Sequence, residues 1–128
     1  MRVLLDTHTF LWWVADAPQL SRPARRVIAA GDNECFLSAA SCWEMAIKAS
    51  IGKLDLDGTV ERFVPHQLTE NGFSELPVEV RHAARVARLP FHHRDPFDRL
   101  LAAQALEEHL AIVSADPIFK RYGVKRIW

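Results

Sequence analysis

Short apolar runs alternate with segments of helical character along this chain, and no other feature restricts its fold as strongly. Val3-Leu4-Leu5, Cys35-Phe36-Leu37, Phe73–Pro77, Ala111–Ser114 and Val124–Trp128 read as strands. Between them, Thr7–Ala15, Ser21–Gly31, Ala39–Ser50 and Val78–Leu89 read as helices, Ser21 capping the second and Gly52 stopping the third. Asp57 or Thr59 opens a further helix that runs to about Glu70, before an Asn71-Gly72 turn. Leu54–Leu56 is a connector, and the stretch after Pro90 holds a loop and then a strong helix. Asp116-Pro117 opens a short helix before the last strand, which is expected at an edge. The alternation predicts an α/β fold of three layers, α/β/α, around a central, mostly parallel sheet of about five short strands. Right-handed crossovers place the C-terminal ends of such strands along one edge, where ligands bind.

The strands end on acids. Asp6 directly follows Leu5, and Asp116 closes "IVSAD". Glu44 lies in the second turn of the helix after the second strand, and Asp95 and Asp98 open the helix before the fourth. Each has an ordinary explanation. Asp6 can cap the helix at Thr7, and Asp95-Pro96 and Asp116-Pro117 suit helix starts. Asp98 can close a capping box, and Glu44 can pair with Lys48 four residues on. Taken together these explanations strain, because carboxylates gathered at one sheet edge repel one another. A divalent cation offsets that repulsion, and hard oxygen donors without Cys or His favour Mg²⁺ or Mn²⁺. Such a site suits phosphodiester hydrolysis.

Composition narrows the classes. A length of 128 residues predicts a single domain over 1–128. Sixteen Lys and Arg balance sixteen Asp and Glu, so net charge does not argue for nucleic acid and only local patches can. Cys35 and Cys42 form no metal-type pair and read as free, buried thiols of a reducing cytosol. With neither a signal peptide nor an apolar run of membrane length, the expected location is cytoplasmic.

The stretches "LLDTHTFLWW" (4–13), "SAASCWEMAIKASIGKLDL" (38–56), "RDPFDRLLAAQA" (94–105) and "IVSADPIFKRYGV" (112–124) resemble PIN-domain ribonucleases, specifically the VapC-type toxins of bacterial type II toxin–antitoxin pairs. They lie in the family's order over nearly the whole chain. Asp6, Glu44, Asp98 and Asp116 match the family's acidic set, and Asp95 a frequent extra acid. The one departure is mild: Ser114 stands where many relatives have threonine, and keeps the hydroxyl. The resemblance implies an Mg²⁺- or Mn²⁺-dependent endoribonuclease, a homodimer, and inhibition by a cognate VapB-like antitoxin.

In this reading Asp6 and Asp98 are ligands, direct or through water. Asp116 completes the site or serves a second ion, and Glu44 ligates or orients the attacking water. Thr7 and Ser114 hold the carboxylates from behind. Arg94, Arg99 and Lys48 are candidate RNA-phosphate contacts, with Lys53, Arg121 and Lys125 as an extended rim; surface ion pairs are the alternative. His8 is read as helix packing, and His92 and His93 as a loop near the RNA path and not as ligands.

Trp12, Trp13 and Trp43 are expected in the core, with an antitoxin groove as the alternative for one of them. Trp43, Ala46, Ile47 and Ser50 form one stripe, and Val80, Ala83, Ala84 and Ala87 another. Val80, Ala84 and Ala87 serve either helix packing or a dimer face. Two other functions compete: a non-catalytic RNA-binding module on the same fold, and a phosphatase or phospho-acceptor domain. The second typically wants another acid close to Asp6 or a lysine near the last strands, and "DTHT" has no such second acid.

Overall fold

A computed structural model describes every residue from Met1 to Trp128. The strands are β1 (Arg2–Leu5), β2 (Glu34–Ser38), β3 (Ser74–Leu76), β4 (Ala111–Val113) and β5 (Arg126–Ile127). They form one sheet in the order β3-β2-β1-β4-β5, with every pairing parallel. The helices are α1 (Thr7–Val14), α2 (Arg22–Ala29), α3 (Ala39–Ser50), α4 (Val60–Asn71), α5 (Val80–Arg85), α6 (Pro96–Glu108) and α7 (Ile118–Arg121).

Strand periodicity splits the core in two. Val3, Leu5, Cys35, Leu37 and Val113 point to the face covered by Phe10 of α1, Ala24 and Ile28 of α2, Met45 of α3 and Val64 of α4. Leu4, Phe36 and Ile112 point the other way, onto Leu101, Ala102 and Ala105 of α6 and Phe119 of α7. A one-residue slip of β1 would exchange these faces, so the alternation of Val3, Leu4 and Leu5 sets its register. The predicted three-layer α/β/α architecture is the observed one.

The chain runs from β1 outward through β2 to β3, then returns across the sheet to β4 on the other side of β1. The reversal point lies between β1 and β4, where sheets of this class open a crevice at the carboxyl ends of the strands. Asp6 leaves β1 there, and Ser114 leaves β4.

Three expectations are corrected. The predicted Val78–Leu89 helix is α5 followed by a 3₁₀ turn over Val86–Arg88, and Val80, Ala83, Ala84 and Ala87 are exposed. The buried residue of α5 is His82. Its Nδ1 accepts the Glu79 N–H at 3.0 Å and its Nε2 lies 3.1 Å from Glu108 Oε1, so both ring nitrogens are partnered. Trp43 is 60% exposed, with Ala46, Ile47 and Ser50 also exposed, because α3 turns Ala40, Ser41, Glu44 and Met45 inward. Cys42 is only half-buried, whereas Cys35 is buried, and both are free thiols. No helix is long and apolar enough to cross a membrane.

Candidate metal centre

Asp6 caps α1, accepting the Thr9 N–H on Oδ1 at 2.8 Å. Its other oxygen, Oδ2, accepts from the Ser114 hydroxyl. Ser114 Oγ in turn accepts the Asp116 N–H at 3.0 Å, so one buried hydroxyl ties the ends of β1 and β4 together. Asp116 Oδ1 accepts the Ile118 N–H at 2.9 Å, which shapes the entry to α7.

Glu44 reaches the same crevice from α3 and is buried. Thr7 Oγ1 donates to its Oε1 at 2.7 Å, and Lys48 Nζ to its Oε2 at 2.7 Å. A carboxylate that buried needs such partners. Asp95 caps α6 by accepting the N–H groups of Phe97 and Asp98 on Oδ1, at 2.9 and 3.4 Å. Asp98 closes no capping box, because the Asp95 N–H donates to His93 Nδ1 at 3.2 Å. With Nδ1 accepting, the ring proton of neutral His93 sits on Nε2, which faces Asp98 Oδ2 at 3.2 Å.

These groups line one cavity of about 110 Å³ with no hydrophobic wall: Asp6, Thr7, His8, Glu44, Lys48, Asp95, Asp98 and Asp116. Five carboxylates face one small space. The strain falls on Asp98, whose carboxyl is pushed up from 3.8 to about 7 by burial and then by the charges of Asp95, Asp6, Asp116 and Glu44. Ligand atoms of His93, Asp98 and Asp116 lie within 4.8 Å of one another, close enough to share an ion. A crowded, oxygen-rich donor set fits a hard divalent cation.

Residues 3–125 match the model of the PIN domain family. The chain belongs to the PIN-domain family. This PIN domain is 33% identical over 115 residues to "Ribonuclease VapC22" of Mycobacterium tuberculosis, covering 89% of this chain and 86% of that one. Its fold is similar to VapBC2 from Rickettsia felis bound to a promoter DNA fragment, with a TM-score of 0.73, 15% identity, and 98% and 97% of the two chains covered. It is also similar to FitAcB from Neisseria gonorrhoeae, with a TM-score of 0.66, 20% identity, and 98% and 96% covered.

Among the basic candidates of the PIN domain, Arg94 is exposed on the Phe91–Arg94 segment, next to His93 and Asp95, and Lys53, Arg121 and Lys125 are also exposed. Lys48 lines the cavity but spends its ammonium on Glu44. Arg99 is buried and is corrected from phosphate contact to structural anchor. Its guanidinium donates to the carbonyls of Pro90 and Val86 at 2.9 and 3.1 Å and to the Tyr122 hydroxyl at 3.3 Å, and lies over the Phe91 ring. It thereby pins the loop that carries His93. Arg99→Ala is expected to cost about 2–4 kcal/mol in urea unfolding, since charged hydrogen bonds to buried partners are lost. A rim arginine would change stability by less than about 0.5 kcal/mol.

His93 is the site residue that sequence reasoning passed over as a ligand. Its only signal was position, two residues before Asp95 in "HHRDP". His8 is exposed at the cavity wall and stacks on Trp12 with centroids 5.6 Å apart.

Proposed function

We propose that this PIN domain is a VapC-type toxin: an Mg²⁺- or Mn²⁺-dependent endoribonuclease that hydrolyses RNA phosphodiester bonds. The observation that carries the reading is the convergence of five carboxylates in one small cavity at the β1/β4 reversal point. Asp6 and Asp98 serve as principal ligands and Asp116 as a further one, with Asp95 available beside them. Glu44 ligates or orients the attacking water. Ser114 fixes one oxygen of Asp6, and Thr7 and Lys48 fix both oxygens of Glu44, so these carboxylates keep their positions as charge enters the site. The bound ion supplies Lewis acidity at the phosphate and a nucleophilic water at neutral pH. Asp98 must give up its proton before it can ligate, because a protonated carboxyl is a poor metal donor.

A module that only bound RNA would gain nothing from these acids, which repel phosphate without a cation. Arg94, exposed on the segment that carries His93, is the candidate contact for the substrate backbone outside the cavity. The VapBC neighbours support a VapB-like antitoxin as partner, while a homodimer as the working form and the cytoplasm as the location rest on the resemblance to VapC-type toxins alone.

The test is cleavage of single-stranded RNA by the purified protein. Activity is expected with Mg²⁺ or Mn²⁺ and none with EDTA, with full recovery when Mn²⁺ is restored. Cleavage that persists in EDTA would remove the metal from the mechanism.

A further inference from the structure

Trp43 and Phe97 are unexplained by the core and unused by the metal centre. Trp43 is 60% exposed on α3, immediately before Glu44. Phe97 lies in the first turn of α6, immediately before Asp98. Their rings meet edge to face, with centroids 5.2 Å apart and planes at 70°. The pair therefore bridges the two helices that deliver two of the cavity's carboxylates. Phe97 is half-buried, and its N–H is held by Asp95 Oδ1 at 2.9 Å. Phe97 thus rests on a cavity residue and braces the indole, leaving most of Trp43 to solvent.

A large exposed aromatic is costly to leave in water. Proteins that handle single-stranded nucleic acid present such rings beside the groove that tracks the backbone, because every base has a flat apolar face to stack. A phosphate held at the carboxylates carries a nucleotide on each side, and Trp43 stands one residue from a cavity carboxylate. We propose that the Trp43–Phe97 pair is a stacking platform for an unpaired base flanking the scissile phosphate. It selects single-stranded RNA over duplex, whose bases are not free to stack on a side chain. The inference takes the identity of the polymer from the function proposed above.

The experiment uses a mixed-sequence single-stranded RNA 12-mer and an all-abasic ribose-phosphate 12-mer. Binding is measured with Ca²⁺ in place of Mg²⁺, and cleavage of the same RNA with Mn²⁺. The 12-mer is expected to quench tryptophan emission of the wild type, with the Trp43 share of the quench missing in Trp43→Phe. Trp43→Ala is expected to bind the 12-mer about tenfold more weakly, and Trp43→Phe within about threefold of wild type. All three proteins are expected to bind the abasic 12-mer equally.

Equal binding of the 12-mer by wild type and Trp43→Ala overturns the platform, even where cleavage is intact. So does a Trp43→Ala defect that persists on the abasic 12-mer, which would mean that the ring acts through the fold. Unchanged RNA affinity with a dimer-to-monomer shift in sedimentation would make the pair a contact between two copies. A wild type that fails to cleave, yet binds the 12-mer through Trp43, overturns the nuclease reading and supports the platform. A wild type that does not bind RNA overturns both.

Discussion

Asp6→Asn is expected to lower RNA cleavage at saturating Mn²⁺ by about 10³-fold or more, with the fold intact. The substitution is nearly isosteric, and its carbonyl oxygen can still accept the Thr9 N–H that caps α1. The Ser114 hydroxyl, which now donates to Asp6, can rotate to accept from the new amide. What disappears is one negative charge at the β1 end of the crevice. Metal assistance supplies several kcal/mol of transition-state stabilisation, and each 1.4 kcal/mol is about tenfold in rate. Single-turnover cleavage beside urea unfolding separates the two effects. Residual activity within tenfold of wild type would show that Asp6 is a cap and nothing more.

Asp98→Asn should make the metal-free protein more stable at pH 8, by on the order of 4 kcal/mol. In the fold the carboxyl is pushed up to about 7, against 3.8 as its ordinary value, by burial and by the charges of Asp95, Asp6, Asp116 and Glu44. Below 3.8 the group is protonated in both the folded and the unfolded chain, and it favours neither. Between 3.8 and about 7 the unfolded chain releases a proton that the fold retains, so rising pH favours unfolding. Above 7 the full penalty applies, at about 1.4 kcal/mol per pH unit of separation. The amide carries no charge and avoids it. Urea unfolding in EDTA at pH 4, 6 and 8 should show the variant's advantage growing with pH. Saturating Mn²⁺ should reverse the comparison at pH 8, because the ion stabilises the protein that binds it better. An advantage independent of pH would mean that crowding of carboxylates is not its source.

The strands and their terminal acids were legible because the relevant periods are short. Val3, Leu4 and Leu5 alternate between two cores, and Asp6 follows at once. The order β3-β2-β1-β4-β5 was not legible, since β1 meets β4 across more than a hundred residues and no local signal encodes the pairing. Trp43 misled because α3 has apolar residues on both sides: its inner face carries Ala40 and Met45 together with buried Ser41 and Glu44, leaving a second apolar stripe outside. On α5, Val80, Ala83, Ala84 and Ala87 mimic an apolar face. That helix is instead held by His82, whose partners Glu79 and Glu108 only the folded chain assembles. Arg99 sits among acids in sequence, and nothing local shows that the carbonyls of Val86 and Pro90 will surround it.

The bond from Ser114 to Asp6 joins residues more than a hundred positions apart. During synthesis Asp6 leaves the ribosome more than a hundred residues before its partner strand. Until β4 docks beside β1, the acids have no common space, and the nascent chain carries the parts of the site without the site. On the function proposed above, competence to cut RNA thus arrives only in the step that docks β4 beside β1.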